Sequence, residues 1–172
     1  NQISLGFLSY PFTIIGIVFV TNAFNLMDGA DGVASGLTLL AIIGINIIEI
    51  LFGGVNFNIM SLALAGSLIP LMWFNLLNKP EKKIFLGDSG SLFLGYVIAC
   101  LLLYQTKTNT SVSPTLAFWI IAIPIFDVFS VIIYRINRSL SLFTPDRSHL
   151  HYSLQKLGLT NIKVLFYITG LG

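Results

Sequence analysis

Apolar runs about as long as a bilayer is thick recur along this chain. They cover Leu5 to Thr21, Ala34 to Phe52, Phe57 to Leu77, Ser91 to Gln105 and Pro114 to Tyr134, with a last run from Ile162 onward. About 20 largely apolar residues cross the roughly 30 Å of hydrocarbon. Inside that layer each backbone N–H and C=O needs a partner in its own segment, which favours helices. With 55% hydrophobic and 9% charged residues and a mean hydropathy of +0.88, neither an ordinary soluble domain nor a disordered chain fits. The expected fold class is all-α: a polytopic transmembrane helical bundle of five to six spans, forming one domain over residues 1–172. Cys100, the sole cysteine, lies within an apolar run and can form no internal disulfide.

If the runs cross in alternation, segments 22–33, 78–90 and 135–161 share one side. That side carries Lys79, Lys82, Lys83, Arg135, Arg138, Arg147 and Lys156, with Lys163 just beyond, while the other side carries only Lys107. The positive-inside rule makes the first side cytoplasmic. It also collects Asp28, Asp31, Asp88, Asp146, His149 and His151. The topology is drawn from apolar runs alone, so this convergence independently points to a site at the cytoplasmic interface.

Three motifs carry the chemistry. In NAFNLMDGADG, Asn22, Asn25, Asp28 and Asp31 recur at intervals of three, a spacing that stacks side chains along one face of a helix end. Gly29 and Gly32 would permit close approach. A turn built from Asn, Asp and Gly is the plainer reading. An EF-hand fails, because Ala30 stands where a second ligand belongs. In FLGDSGSLFLG (residues 85–95), Asp88 offers a hard oxygen to Mg²⁺. The helix start with Ser89 offers N–H and hydroxyl groups to phosphate, although a simple N-cap needs no more than these residues. In TPDRSHLHYSLQKLG (residues 144–158), Arg147 suits bidentate phosphate binding. His149 and His151 suit phosphate contact or proton transfer; two nitrogens alone leave a zinc ion two ligands short. Asp127 lies eight residues before Arg135, about 12 Å below the polar segment along a helix. At that depth it is either functional or paired within the bundle.

Together and in this order, the motifs resemble those of the polyprenyl-phosphate N-acetylhexosamine-1-phosphate transferases. Within that family they look closest to the bacterial UDP-GlcNAc:undecaprenyl-phosphate GlcNAc-1-phosphate transferases. The resemblance spans residues 22 to about 158. It implies that Asp88 ligates Mg²⁺, with Mn²⁺ as the substitute ion. It also implies that Asn25, Asp28 and Asp31 form the catalytic wall, and that Asn22, Ser89, Asp127, Asp146, Arg147, His149 and His151 contact substrate. Its histidine loop usually carries a further His where Tyr152 stands here. An earlier motif with adjacent aspartates has no counterpart in this chain, and Asn1 and Gly172 read as the ends of a fragment.

The implied reaction passes GlcNAc-1-phosphate from a UDP-N-acetylhexosamine to a polyprenyl phosphate lipid and releases UMP. That is a first membrane step of lipopolysaccharide or teichoic acid synthesis at the bacterial inner membrane. The expected partners are these two substrates, the membrane and, allowably, a second copy of the chain as a homodimer; nucleic acid is not among them. The rival reading is an ion-coupled transporter using Asp127 and the interfacial acids. It calls for polar residues along a path to both faces, whereas the opposite face is almost empty of charge. A purely structural membrane subunit gives no reason for acids and histidines to share a side.

Overall fold

A computed structural model describes residues 6–52, 59–108, 112–141 and 148–171, and their regular structure is entirely helical. The α-helices are α1 (Ser9–Leu26), α2 (Val33–Phe52), α3 (Ile59–Leu76), α4 (Gly87–Thr108), α5 (Pro114–Ile120), α6 (Ala122–Asn137), α7 (Leu150–Lys156) and α8 (Asn161–Gly170). Four stretches are long and apolar enough to cross a membrane: Gly6–Leu26, Val33–Phe52, Ile59–Leu76 and Gly87–Thr108. Helices α5 and α6 pass the same test together but meet at 77°, so they form either a broken span or a re-entrant pair. The chain is thus a multi-pass membrane protein with four spans, or five with the bent pair, among its described residues. The run from Ile162 falls in α8, which has ten residues, short of a span by itself.

The bend corrects the expectation of one continuous helix over Pro114 to Tyr134. Pro124 has no N–H to give the carbonyl four residues back, which would be that of Ile120. The chain breaks at Ile121 (φ −112°, ψ 21°) and restarts, placing Pro124 in the first turn of α6, where helix N–H groups lack intrahelical partners anyway. Phe118, Trp119 and Phe126 pack edge-on or tilted around the break, with ring centroids 5.8–6.3 Å apart. The fourth span is longer than its apolar run, because the polar motif from Gly87 to Gly90 is itself helical.

Helices α1 and α4 form the central contact. A Cβ on Gly95 would stand 2.9 Å from Thr21 Cα and 3.0 Å from Thr21 O, so only glycine lets the two backbones approach this closely. Around this crossing, Phe24, Met27, Leu37, Ile45, Leu94, Ile98, Ile125 and Ile168 make one buried core. The outer faces are apolar as well: Phe12, Ile15, Ile69, Trp73, Phe93 and Phe129 are all exposed, as expected where the surrounding solvent is lipid. At one end of the bundle, the end of α1, both flanks of the α3–α4 connection and the start of α7 come together. There the buried Asn75 gives its Nδ2–H to Ile84 O at 2.9 Å, pinning the backbone just ahead of Asp88.

Candidate active site

The first motif is only half helical. Met27 N–H bonds to Phe24 O at 3.2 Å and Asp28 N–H to Asn25 O at 3.1 Å, tight closures that end α1 at Leu26. Gly32 then takes φ +77°, a left-handed conformation that suits glycine. Asp28 and Asp31 therefore sit in the turn over residues 27–32, not stacked above Asn22 and Asn25 on one helix face. Asn25 lies partly buried on the last turn of α1, and Asn22 is exposed one turn below, its Nδ2–H given to Val18 O at 2.8 Å.

Opposite this turn stands the second motif. A cleft of about 240 Å³ is lined by Asp28, Gly29, Ala30 and Asp31 on one wall and by Phe85, Leu86, Gly87 and Asp88 on the other. Gly87 has φ +69°, and α4 begins there, with Asp88 and Ser89 exposed in its first turn. Burial pushes the Asp28 carboxyl up to about 6, and the charges of Asp88 and then Asp31 push it the same way. Like charges facing one cleft disfavour each other's ionised forms.

The two carboxylates of the first motif have different surroundings. Asp31 Oδ2 receives the Lys83 ammonium in an ion pair and Asn161 Nδ2–H at 2.8 Å. Sequence reasoning counted Lys83 only as a surface charge and did not single out Asn161. They lie 52 and 130 residues from Asp31, and no local spacing signals either contact.

The third motif reaches the same place through Asp127. This buried carboxylate accepts His149 Nδ1–H at 2.7 Å and Leu150 N–H at 2.7 Å. It thus caps the start of α7 and fixes the ring of His149. A carboxylate can only accept here, so Nδ1 carries the proton and Nε2 is the nitrogen available to a ligand. Of the two readings of Asp127 from sequence, a partner within the bundle is therefore found, and that partner is itself a candidate site residue.

His151 follows two residues later, fully buried, with neither ring nitrogen hydrogen-bonded among the described residues. Its ring lies parallel to that of His149 (6.0 Å between centroids, 7° between planes) and against Tyr152 at 4.1 Å. It presses on the first motif: a Cβ on Gly29 would stand 2.0 Å from His151 Nε2. Burial lowers the His151 pKa to about 4, helped by His149 and opposed by Asp127, so the ring is neutral at ordinary pH. Asp146 and Arg147, from the same motif, lie outside the described residues.

No cluster of three or more His, Cys, Asp or Glu side chains placed to hold a metal occurs among the described residues. Mg²⁺ needs less, since it commonly takes one or two carboxylates and completes its shell with water and substrate phosphates. Asp28 and Asp88 are such a pair: they face one cleft and repel each other, a state that a divalent cation relieves. The donor set fits a hard cation bound together with a phosphate ligand.

A family profile described as "Glycosyl transferase family 4" matches residues 1–106. A protein of Bacillus subtilis (strain 168) named "Probable undecaprenyl-phosphate N-acetylglucosaminyl 1-phosphate transferase" is 38% identical over 162 residues, covering 94% of this chain and 44% of its own length. The "Undecaprenyl-phosphate alpha-N-acetylglucosaminyl 1-phosphate transferase" of Escherichia coli (strain K12) is 32% identical over 170 residues, covering 98% of this chain and 46% of its own. The protein of that name from Yersinia pestis is also 32% identical over 170 residues, covering 47% of its own length. The chain thus spans somewhat under half the length of these relatives. The matched residues take in all three motifs in the relatives and the first two in the profile, and on that footing the chain belongs to glycosyl transferase family 4.

Proposed function

We propose that the protein containing this chain transfers GlcNAc-1-phosphate from UDP-GlcNAc to undecaprenyl phosphate and releases UMP, at the cytoplasmic face of a bacterial inner membrane. The observation that carries the reading is the cleft between Asp28 and Asp88, with His151 packed against its Gly29, at one end of an apolar bundle. A lipid phosphate arrives from the bilayer and a nucleotide from water, so the reaction belongs where these meet. The names of the relatives supply the substrate class.

In the transfer, an oxygen of the lipid phosphate attacks the β-phosphorus of the nucleotide sugar. The new P–O bond forms as the bond from the β-phosphorus to the bridging oxygen breaks, and UMP leaves with that oxygen and the electron pair. A phosphate monoester has its second pKa near 6 and is largely dianionic at neutral pH, which favours direct attack over a covalent enzyme intermediate. Mg²⁺, or Mn²⁺ in its place, held by Asp88 with Asp28 beside it, would neutralise charge on the phosphates during transfer. Asn25 on the last turn of α1 and Ser89 on the first turn of α4 would orient phosphate oxygens. His149, its ring fixed by Asp127, would offer Nε2 to a phosphate oxygen, and His151 packs against Gly29 of the cleft wall. The intramembrane acid that an ion-coupled transporter would use, Asp127, is already bonded twice, and this supports the enzyme reading.

The test is UMP release by the intact protein in membranes, with UDP-GlcNAc, undecaprenyl phosphate and Mg²⁺. Release that requires lipid and cation, stops with a chelator and falls at least about 10²-fold in Asp88→Asn is expected. No release from folded wild type with UDP-GlcNAc or other UDP-sugars refutes the reading. Full activity in Asp88→Asn moves the cation to another carboxylate.

A further inference from the structure

Asp28 and Asp31 are chemically identical and three residues apart, yet among the described residues only Asp31 is tied down. Asp31 Oδ2 takes both the Lys83 ammonium and Asn161 Nδ2–H. The amide of Asn161 is itself oriented, because its Oδ1 accepts Gln155 Nε2–H at 2.9 Å, which turns the NH₂ group toward Asp31. Lys83 precedes the second motif, Gln155 lies on the helix that carries His151, and Asn161 opens α8. One carboxylate oxygen therefore gathers groups from two other segments, one of which is oriented by a third. The side chains of Lys83 and Asp31 are 19% and 13% exposed, whereas nearby Lys79 and Lys82 are exposed. A pair this sheltered is less screened than a surface ion pair, whose contribution is usually slight.

We propose that Lys83 is a positioning residue for the transfer site. With Asn161 it holds the Asp31 carboxylate against the wall of the cleft, so that Asp28 and Asp88 are the two carboxylates left to meet cation and phosphate. Without Lys83, the Asp31 carboxylate loses its counter-ion and is drawn to the same cation, changing the number of carboxylates that meet it. Lys83 acts through Asp31 and touches no reacting atom. This inference rests on the transferase reading above.

Two measurements on the intact protein test it. In the UMP-release assay, Lys83→Gln is expected to lower kcat about tenfold or more, as misplacement at a reacting centre does, with KM for UDP-GlcNAc changed less than about threefold. Lys83→Arg, which keeps the charge and can still donate to Oδ2, recovers most of the loss. In an Asp31→Asn background the Lys83→Gln change costs less than about threefold, because the carboxylate it controls is gone. Equal losses in both backgrounds, or a loss confined to KM, overturn the proposal and make Lys83 a direct phosphate ligand. The second measurement needs no activity. Amine labelling of Lys83, read by mass spectrometry against Lys82 as internal standard, should rise at least about threefold in Asp31→Asn, since an ammonium held against a carboxylate in a half-buried pair is sheltered from the reagent. An unchanged ratio refutes the pair itself. Wild type that releases no UMP removes the transferase reading and the role with it, while the labelling ratio still judges the pair.

Discussion

Gly29 is a glycine because of a histidine more than a hundred residues away, and replacing it with alanine tests how the first and third motifs meet. Its backbone is not in the left-handed region that Gly32 and Gly87 occupy, so Gly29→Ala introduces no backbone strain and changes one methyl group only. That methyl would lie 2.0 Å from His151 Nε2, 2.8 Å from Cε1 and 2.9 Å from Cδ2. The ring must retreat by more than 1 Å to reach ordinary contact. It has little room, since it is fully buried, with Tyr152 at 4.1 Å and His149 stacked at 6.0 Å. Overpacking of this kind costs about 1–3 kcal/mol. The stiffness of the ring and its neighbours places this case near the upper end, a lowering of the melting temperature of roughly 6–12 °C for a domain of this size. The assay is thermal unfolding of the intact protein in detergent for Gly29→Ala, His151→Ala and the double variant. The alanine at 29 should cost the full amount with His151 present and less than about 0.5 kcal/mol without it, because the truncated side chain leaves space for the methyl. Equal costs in both backgrounds would refute the contact as the reason for the glycine.

Asp127→Asn should destabilise the protein by about 2–4 kcal/mol in the same unfolding assay, because an amide can satisfy only one of the two donors that Asp127 now accepts, and the other stays buried against an NH₂ group. It should also lower UMP release, since His149 loses the acceptor that keeps its proton on Nδ1; unchanged stability would mean that the cap on α7 contributes nothing. The depressed pKa of His151, about 4 in the fold against 6.5 for the free side chain, sets a pH dependence of known sign. Below 6.5 the unfolded chain takes up a proton that the folded chain refuses, so this stability is complete above 6.5 and lost as pH falls toward 4, by at most about 3 kcal/mol. Melting curves from pH 7.5 to 4.5 should show that decline in wild type and a flatter profile in His151→Phe; parallel profiles would refute it.

The spans were legible because hydropathy reports directly on the solvent that a helix surface meets, and the outward Phe12, Ile69, Trp73 and Phe93 belong to runs visible without any structure. The bend between α5 and α6 was hidden for the same reason. Pro124 is as apolar as its neighbours, so a reading built on apolar length passes over it, although its missing N–H is written in the sequence. The gathering of acids and histidines at one end was also legible, since it follows from alternation of spans. Its depth was not: that His151 would rest on Gly29, and that Asp127 would hold His149, depends on the angle at which α6 leaves Ile121 and on where α7 restarts.

Spacing misled most at the point where it looked most informative. Residues 22, 25, 28 and 31 recur at helical intervals, but the period has meaning only while the helix continues, and α1 stops at Leu26. Beyond that point Asp28 and Asp31 are two acids in a turn, each next to a glycine, and no local property tells them apart. The difference comes from Lys83 and Asn161, which reach Asp31 only when the α3–α4 connection and the start of α8 fold over it. Burial and its acidic neighbours raise the Asp28 carboxyl toward neutrality, whereas Asp31 carries a counter-ion. A sequence can therefore mark a carboxylate pair for function while leaving open which member is held by a counter-ion. That assignment belongs to tertiary structure, because it is made by residues with no sequence relation to the pair other than the fold that brings them there.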